Sequence, residues 1–286
     1  CRRMKKLFLS GFSLFIVCFL LGCITWFGFE KQNNKINTID KNITDKSIDS
    51  LNIKGISTKV NITKGDKFTV RYKGQNKVDI NQEGNELSVH ETNEKVDKYG
   101  LNFNPFRQIH AEINITMPSE KMDDLYVSNR VNKVNIQNLD IESANLSMPE
   151  TGAARVFIKN SSIKKLIYRG IKSTVHFNSS EILNADIKTK NASIIGKQSL
   201  IKDSVLSAKQ GNINLSDMDI DSAFKASTQH GDIKMSYNQA PDNTLLKLNP
   251  EKGKANVNNK TFANDRVGAG NHVLEFYTLN GDIYIN

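Results

Sequence analysis

The side chains that most often carry enzyme chemistry are sparse in this chain. Five histidines are spread over 286 residues, and no two of them have the spacing of a metal-ligand pair such as HExxH. All three cysteines precede residue 24, so the rest of the chain lacks thiol nucleophiles and cysteine ligands. His176 and His230 fall in strand or turn motifs and are interpreted as surface or strand residues. The sequence therefore predicts no catalytic residue, no cofactor and no metal site.

One acidic cluster is dense enough to consider as a site. Asp217, Asp219 and Asp221 alternate in the segment DMDID, and alternation along a strand places such side chains on one face. Carboxylates grouped in this way are typical of glycoside hydrolysis or of weak Ca²⁺ coordination. The simpler interpretation is a polar corner that keeps the edge of a domain soluble, and a carbohydrate-active enzyme is the alternative.

Two other features favour binding. The segment 93–109 carries Phe103, Phe106 and Arg107, which predicts either a contact loop or a cap over the open end of stacked strands. Lysines also recur from residue 159 to residue 209, and stacking could align some of them into a basic stripe that faces anionic wall polymers or lipid head groups. The simpler interpretation of these lysines is a scattered, solvated surface. These lysines are Lys159, Lys164, Lys165, Lys172, Lys188, Lys190, Lys197, Lys202 and Lys209.

The net charge of +9 is partly explained by the N-terminus. Arg2, Arg3, Lys5 and Lys6 precede residues 7–29, which carry no charge and as a helix would be roughly 34 Å long, enough to cross a bilayer. By the positive-inside rule the four basic residues stay in the cytoplasm, so the chain that follows lies outside. Subtracting four from +9 leaves +5, a modest excess that does not indicate a nucleic-acid partner.

The apolar segment has three alternative fates. No pair of small residues marks ordinary signal cleavage. Residues 20–23, LLGC, resemble a lipobox in which Cys23 would be lipidated, but the apolar run continues through Trp26, as in an interfacial aromatic belt. We predict a single-pass signal anchor at 7–29 behind a cytoplasmic basic tail at 1–6, with lipidation of Cys23 as the alternative.

The chain beyond the anchor divides into three parts. Residues 30–50 are polar without a sustained apolar face, which predicts a stalk. Residues 51–118 alternate apolar and polar positions in short runs between Gly, Asn and Asp, which predicts β-strands. We interpret them as the N-terminal β region of the domain that 119–286 continues.

Residues 119–286 contain a repeat of about 20 residues, which indicates stacked structural units. Between its leading isoleucines, at intervals of 22, 19, 19 and 19 positions, lie apolar phrases such as GNINL, GDIKM and GDIYI. Two short strands per unit cannot bury their apolar side alone, so the sequence predicts an all-β β-solenoid whose coils pair in parallel at about 4.8 Å. Residues 241–271 blur the repeat and predict looser or longer connections before the final strands. The leading isoleucines are Ile141, Ile163, Ile182, Ile201 and Ile220.

The phrases QHGDIKM, KQGNINL and LNGDIYI, with this period and an N-terminal membrane helix, resemble the putative-adhesin β-strand-repeat family of bacterial envelopes, a domain of unknown function. The resemblance covers about residues 50–286 and implies an extracytoplasmic β-solenoid, with relatives in Gram-positive envelope-stress systems of the Lia type. It supplies no catalytic residues.

These observations predict a non-catalytic, membrane-anchored surface module that is adhesin-like or acts in envelope stress. The expected partners are the membrane through residues 7–29 and anionic wall polymers, lipid head groups or an envelope protein. The alternatives are a solenoid carbohydrate-active enzyme and a membrane-tethered regulator of a sensor system.

Overall fold

The computed structural model describes residues 2–25, 36–45, 47–56, 58–92, 111–118, 121–130, 132–149 and 154–286. Helix α1 is Arg2–Thr25. Within it, Met4–Thr25 is long and apolar enough to cross a membrane and is not buried against the described protein, although a signal sequence near an N-terminus would have the same properties. Residues 26–29 of the predicted anchor lie outside the described residues.

The other described elements are strands, which form two large sheets called here sheet A and sheet B. The strands are β1 (Asn37–Asn42), β2 (Ser50–Gly55), β3 (Lys59–Lys64), β4 (Thr69–Gly74), β5 (Lys77–Glu83), β6 (Glu86–Thr92), β7 (Glu112–Met117), β8 (Lys121–Asn129), β9 (Lys133–Gln137), β10 (Asp140–Met148), β11 (Arg155–Lys159), β12 (Ser162–Gly170), β13 (Thr174–Asn178), β14 (Glu181–Leu183), β15 (Ala185–Thr189), β16 (Ile194–Lys197), β17 (Leu200–Gln210), β18 (Ile213–Met218), β19 (Ala223–His230), β20 (Ile233–Tyr237), β21 (Thr244–Pro250), β22 (Ala255–Val257), β23 (Arg266–Val267), β24 (His272–Asn280) and β25 (Ile283–Ile285).

The two sheets have the topology of a β-solenoid, as predicted. Sheet A has the order β1-β4-β7-β3-β9-β11-β13-β16-β18-β20-β25-β22. Sheet B has the order β23-β21-β24-β19-β17-β14-β12-β10-β8-β2-β6-β5, and β15 pairs with β12 and β17. The interior pairs are parallel, and antiparallel strands occur only towards the two ends of the described sheets. A coil thus contributes one strand to each sheet, and the buried side chains of both sheets form one hydrophobic cluster.

The predicted isoleucine ladder forms one edge of this core. Ile141 and Ile163 are in register, Ile182 and Ile201 continue the row, and all four are fully buried. Ile220 does not continue the ladder, because it lies in a turn before β19 and is only partly buried. The chain there has a longer corner, so a fixed spacing of 19 residues no longer places an isoleucine in register.

Five successive corners from sheet A to sheet B, from the corner after β9 to the corner after β18, share one backbone conformation. One residue at each of these five corners is in the left-handed region, with φ between 47° and 57°: Asn138, Asn160, Ser179, Gln198 and Asp217. Buried serines follow three of them. The Ser180 hydroxyl accepts a hydrogen bond from Ser161 N–H at 3.3 Å, and Ser199 likewise accepts from Ser180 N–H at 3.2 Å. These bonds satisfy buried backbone donors and fix each coil on the next.

The recurring Gly-Asp and Gly-Asn phrases form the opposite corner. A Cβ at Gly231 would collide with the carbonyl oxygen of Gly211, so only glycine allows the coils to stack this closely. The following residue continues the contact, because Asn212 Oδ1 accepts from Asp232 N–H at 2.9 Å and Asp232 Oδ1 accepts from Asp282 N–H at 3.0 Å. The family-like phrase is therefore a stacking element of the fold.

The coils at both ends do not stack in chain order. The last coil, β24–β25, lies between β19–β20 and β21–β22. Residues 241–271, where the sequence predicted looser or longer connections, contain the coil β21–β22 and then a long connection, 258–271, whose one strand is the two-residue β23. At the other end, β2–β3 lies between β6–β7 and β8–β9.

The segment 30–50, predicted as a stalk, is partly a folded strand. Residues 37–42 form β1, which pairs with β4 in sheet A. Ile39 and Ile43 pack against the hydrophobic cluster, and Ile48 is buried within it. Three isoleucines and the pairing of β1 with β4 therefore hold this segment against the solenoid, although it has no sustained apolar face.

Candidate functional site

The outer face of sheet A has an unusual charge pattern across β9, β11, β13 and β16. Alternation buries every second side chain of these strands, among them Val156, Ile158 and Phe177, and turns the other positions outward. None of the four strands contains Asp or Glu. Six outward residues, called here the cationic face, are Lys133, Arg155, Phe157, Lys159, His176 and Lys197.

The centre of the cationic face is an aromatic stack. Phe157 and His176 are cross-strand neighbours, and their rings lie 4.5 Å apart with an interplanar angle of 15°. Lys133 Nζ lies 5.3 Å and Lys159 Nζ 5.8 Å from the centre of the Phe157 ring. Cations at this distance interact favourably with the ring, which holds the lysine side chains over it.

The charges around His176 are all positive. Burial lowers the pKa of His176 below its usual value, and Arg155 and then Lys159 lower it further. The imidazole is therefore predominantly neutral at neutral pH, since its unperturbed value is about 6.5. Across the adjacent strand pair, Asn178 is in register with both Lys159 and Lys197. A polar but uncharged side chain thus occupies the position between two lysines.

The cations of this face have no carboxylate partners within the described ranges. No ion pair there involves Lys133, Arg155, Lys159 or Lys197. Two carboxylates farther along the sheet are already engaged: on β7, Glu112 lies 3.1 Å from Lys59, and Asp232, before β20, lies 3.5 Å from Lys234. The face therefore presents four unpaired positive charges, which is an arrangement suited to binding an anion.

The predicted basic stripe is not one surface in the structure. Only Lys159 and Lys197 of its nine lysines belong to strands of sheet A. Lys188 and Lys209 line a groove of about 510 Å³ beside sheet B, together with Arg169 and Lys190. The remaining lysines occupy sheet B or turns: Lys164, Lys165, Lys172 and Lys202.

Sheet B combines its basic residues with carboxylates. Arg169 and Lys188 both pair with Asp186, the lysine at 3.2 Å. Burial raises the pKa of Asp186, but hydrogen bonds and charge from the two cations outweigh burial and lower it overall. Lys164 lies 2.7 Å from Glu142 in the same sheet. Basic residues on this face are therefore partly neutralised.

The acidic residues predicted as a corner are placed around a turn. Asp217 N–H donates to Ser236 Oγ at 3.0 Å, and Asp219 Oδ1 accepts from Asp221 N–H at 2.9 Å. Asp221 Oδ1 lies 3.7 Å from His272 Nδ1. In the part of the chain that the structure covers, no group of three or more His, Cys, Asp or Glu residues has the arrangement of a metal site.

The other predicted positions fall near the N-terminus and in an uncharacterised segment. Cys23 lies in α1 and is partly exposed. Phe103, Phe106 and Arg107 lie outside the described residues.

Lys133, Arg155 and His176 were not among the site residues predicted from the sequence. A signal was present, because none of the short strand phrases KVNIQ, RVFIK, TVHFN and IIGK contains an acidic residue. Strands of sheet B that contain Asp or Glu, such as β10 and β15, separate these phrases in the sequence and hide the pattern.

Comparison with known proteins identifies a family and several solved structures that align over most of the chain. The Toastrack DUF4097 family model matches residues 48–286. A solved structure of a putative adhesin from Bacteroides fragilis is 16% identical with a TM-score of 0.46, covering 88% of this chain and 98% of its own. A putative adhesin from Parabacteroides merdae is 13% identical, with a TM-score of 0.45 and coverage of 89% and 97%. A putative lipid binding protein from Parabacteroides distasonis is 12% identical, with a TM-score of 0.44 and coverage of 89% and 98%. Comparison with curated proteins gives no significant match.

Proposed function

The chain belongs to the Toastrack DUF4097 family, and from this premise we propose that it is a membrane-anchored, extracytoplasmic binding module without catalytic activity. Its ligands are anionic polymers of the cell envelope, which it binds through the cationic face. The observation that carries this proposal is the group of four unpaired cations on strands that lack acidic residues.

The arrangement of the cations supports a polymer as the ligand. Arg155 is in register with Lys133 on the adjacent strand, so their backbones are about 4.8 Å apart. Lys159 and Lys197 lie farther along their strands, with one strand between them. The positive charges are thus distributed over several strands, and a small anion could contact only some of them. A chain of repeated anionic groups can contact all of them at once, which multiplies weak individual interactions.

The N-terminal helix supports the location. Its exposed apolar surface is suited to a lipid environment, and Lys5 and Lys6 precede most of the apolar run. In this orientation the solenoid lies on the outer side, where polymers with phosphate or carboxylate groups are its neighbours. A cluster of lysine and arginine side chains around an aromatic stack attracts anions through its charge, which accords with a binding role.

The test uses the full-length protein in phosphatidylcholine nanodiscs, with dextran sulfate as the anionic polymer and dextran as the uncharged one. We expect the protein to bind dextran sulfate and not dextran, and the affinity for dextran sulfate to fall as salt is added. The double substitution Arg155→Gln with Lys159→Gln should weaken binding by about tenfold or more, because two charge contacts are lost. Lys164→Gln with Lys165→Gln removes the same charge from sheet B and should have a much smaller effect.

Two results would contradict the proposal. One is equal binding of dextran and dextran sulfate, and the other is an equal loss of affinity in the two double variants. Separate nanodiscs that contain phosphatidylglycerol and no protein test lipid head groups as the ligand. If the protein binds these nanodiscs in preference to dextran sulfate, the ligand is a membrane surface and not a polymer.

A further inference from the structure

We propose that the cationic face contains a proton-coupled anion subsite, in which His176 takes up a proton when an anionic group binds between Arg155 and Lys159. Binding to the face is then stronger in acid than at neutral pH. This inference rests on the proposed function, and it adds both the position of an anionic group and a form of regulation.

The geometry around His176 carries the inference. Phe157 stacks on one side of the imidazole, and Arg155 and Lys159 lie two residues to either side of Phe157 on the same strand. On the other side, Ile195 is in register with His176, and Lys197 lies two residues beyond it. An anionic group placed over the ring edge would therefore be close to cations from both neighbouring strands.

The two strands that flank β13 supply the charged groups nearest to His176. Strand β11 supplies Arg155 and Lys159, and β16 supplies Lys197. Within β13 itself, the outward neighbours are Thr174 and Asn178, which are uncharged hydrogen-bonding residues. The remaining cation of the cationic face, Lys133 on β9, lies over the ring of Phe157. These positions include no carboxylate.

Proton uptake follows from the sign of these interactions. In the free protein, burial, Arg155 and Lys159 lower the pKa of His176, since a proton there would add a further positive charge to the cluster. A bound anion attracts that proton and raises the pKa. Because binding and protonation favour each other equally, the affinity must rise as the pH falls through the range in which the imidazole is protonated.

A second histidine provides a matched control within the same fold. His90 lies on the outer side of sheet B, and its pKa is also lowered, by burial first and then by Lys54. Glu86 and Asp79 act in the opposite direction. Carboxylates are therefore already present at His90, and an added anion has no vacant cationic site to fill there.

The experiment measures the affinity of the full-length protein in phosphatidylcholine nanodiscs for dextran sulfate. The sulfate ester remains ionised throughout, so any pH dependence belongs to the protein. We expect about a tenfold gain in affinity between about pH 8 and about pH 5, which is the gain from raising one histidine pKa by one. His176→Gln should lose most of that gain, and His90→Gln should keep it.

The failures of the two proposals are distinguishable. If dextran sulfate does not bind at any pH, the proposed function is wrong. If it binds and His176→Gln keeps the full pH dependence, only the proton-coupled subsite is wrong. NMR titration of His176 in the wild-type protein needs no variant: dextran sulfate should move its titration to higher pH, and an unchanged titration during binding would overturn the inference.

Discussion

The outer faces of sheets A and B are built from the same coils, yet they differ in how they handle charge. On sheet B, Arg169 and Lys188 share the carboxylate of Asp186. On sheet A, the residue between Lys159 and Lys197 is Asn178, which is in register with both lysines and carries no charge. The strand spacing is the same on both faces, so the difference lies in side-chain chemistry alone.

This difference indicates which face is adapted to a ligand. Exposed ion pairs contribute little to stability, but they neutralise each other's charge and leave the surface with little net charge. Four cations without partners repel each other, so their grouping is unfavourable for the isolated fold. A bound anion removes that repulsion, and for this reason the less balanced face is the better candidate for function.

Asn178→Asp should make the outer face of sheet A resemble that of sheet B. Of three informative substitutions, it should change the affinity for dextran sulfate most. A carboxylate between Lys159 and Lys197 would neutralise part of the face while still accepting the hydrogen bond from Ser179 Oγ, now 3.0 Å from Asn178 Oδ1. We expect the affinity for dextran sulfate to fall by about tenfold, measured by fluorescence anisotropy. An unchanged affinity would show that the ligand does not lie on this face, and Asn178→Gln controls for loss of the asparagine.

Asp186→Asn is the reverse change on sheet B. It would free Arg169 and Lys188, and Arg169 would keep its place because its guanidinium also donates to the main-chain carbonyls of Tyr168 at 2.9 Å and Asp186 at 2.7 Å. We expect the affinity for dextran sulfate to rise by about threefold, since two exposed cations become available. A decrease in affinity, with the fold intact by circular dichroism, would contradict the role assigned to Asp186 as a neutralising residue.

Glu142→Gln should have the smallest effect. Its ion pair with Lys164 is 2.7 Å long, but both side chains are more than half exposed, at 59% and 55%. We expect Tm to change by less than about 2 °C in calorimetry, because water screens such pairs strongly. Polyanion affinity should change by less than about twofold. A large loss of stability would mean that the sheet B pairs hold the fold together and are not simply charge balance.

More of the fold than of the candidate site could be predicted from the sequence. The isoleucine ladder through Ile201 and the Gly-Asp phrases repeat locally, and each has one physical use, burial or close stacking. The site depends on lateral neighbours that are 19 to 22 residues apart, such as Phe157 and His176 or Lys133 and Arg155. A corner of different length moves such neighbours out of register, as it does for Ile220. The lysines grouped along the sequence were consequently divided between two faces.

By itself, the sequence determined the class of the protein: an apolar N-terminal helix followed by an all-β solenoid. Composition and alternation are sufficient for that, because they decide which residues can be buried. Only the tertiary structure decided the order of the terminal coils and the membership of the cationic face. The last coil, β24–β25, enters the stack ahead of β21–β22, because β24 pairs with β19 on one side and with β21 on the other. Such pairing joins strands that are far apart in the sequence, so local patterns do not reveal it, and it determines which charges become neighbours.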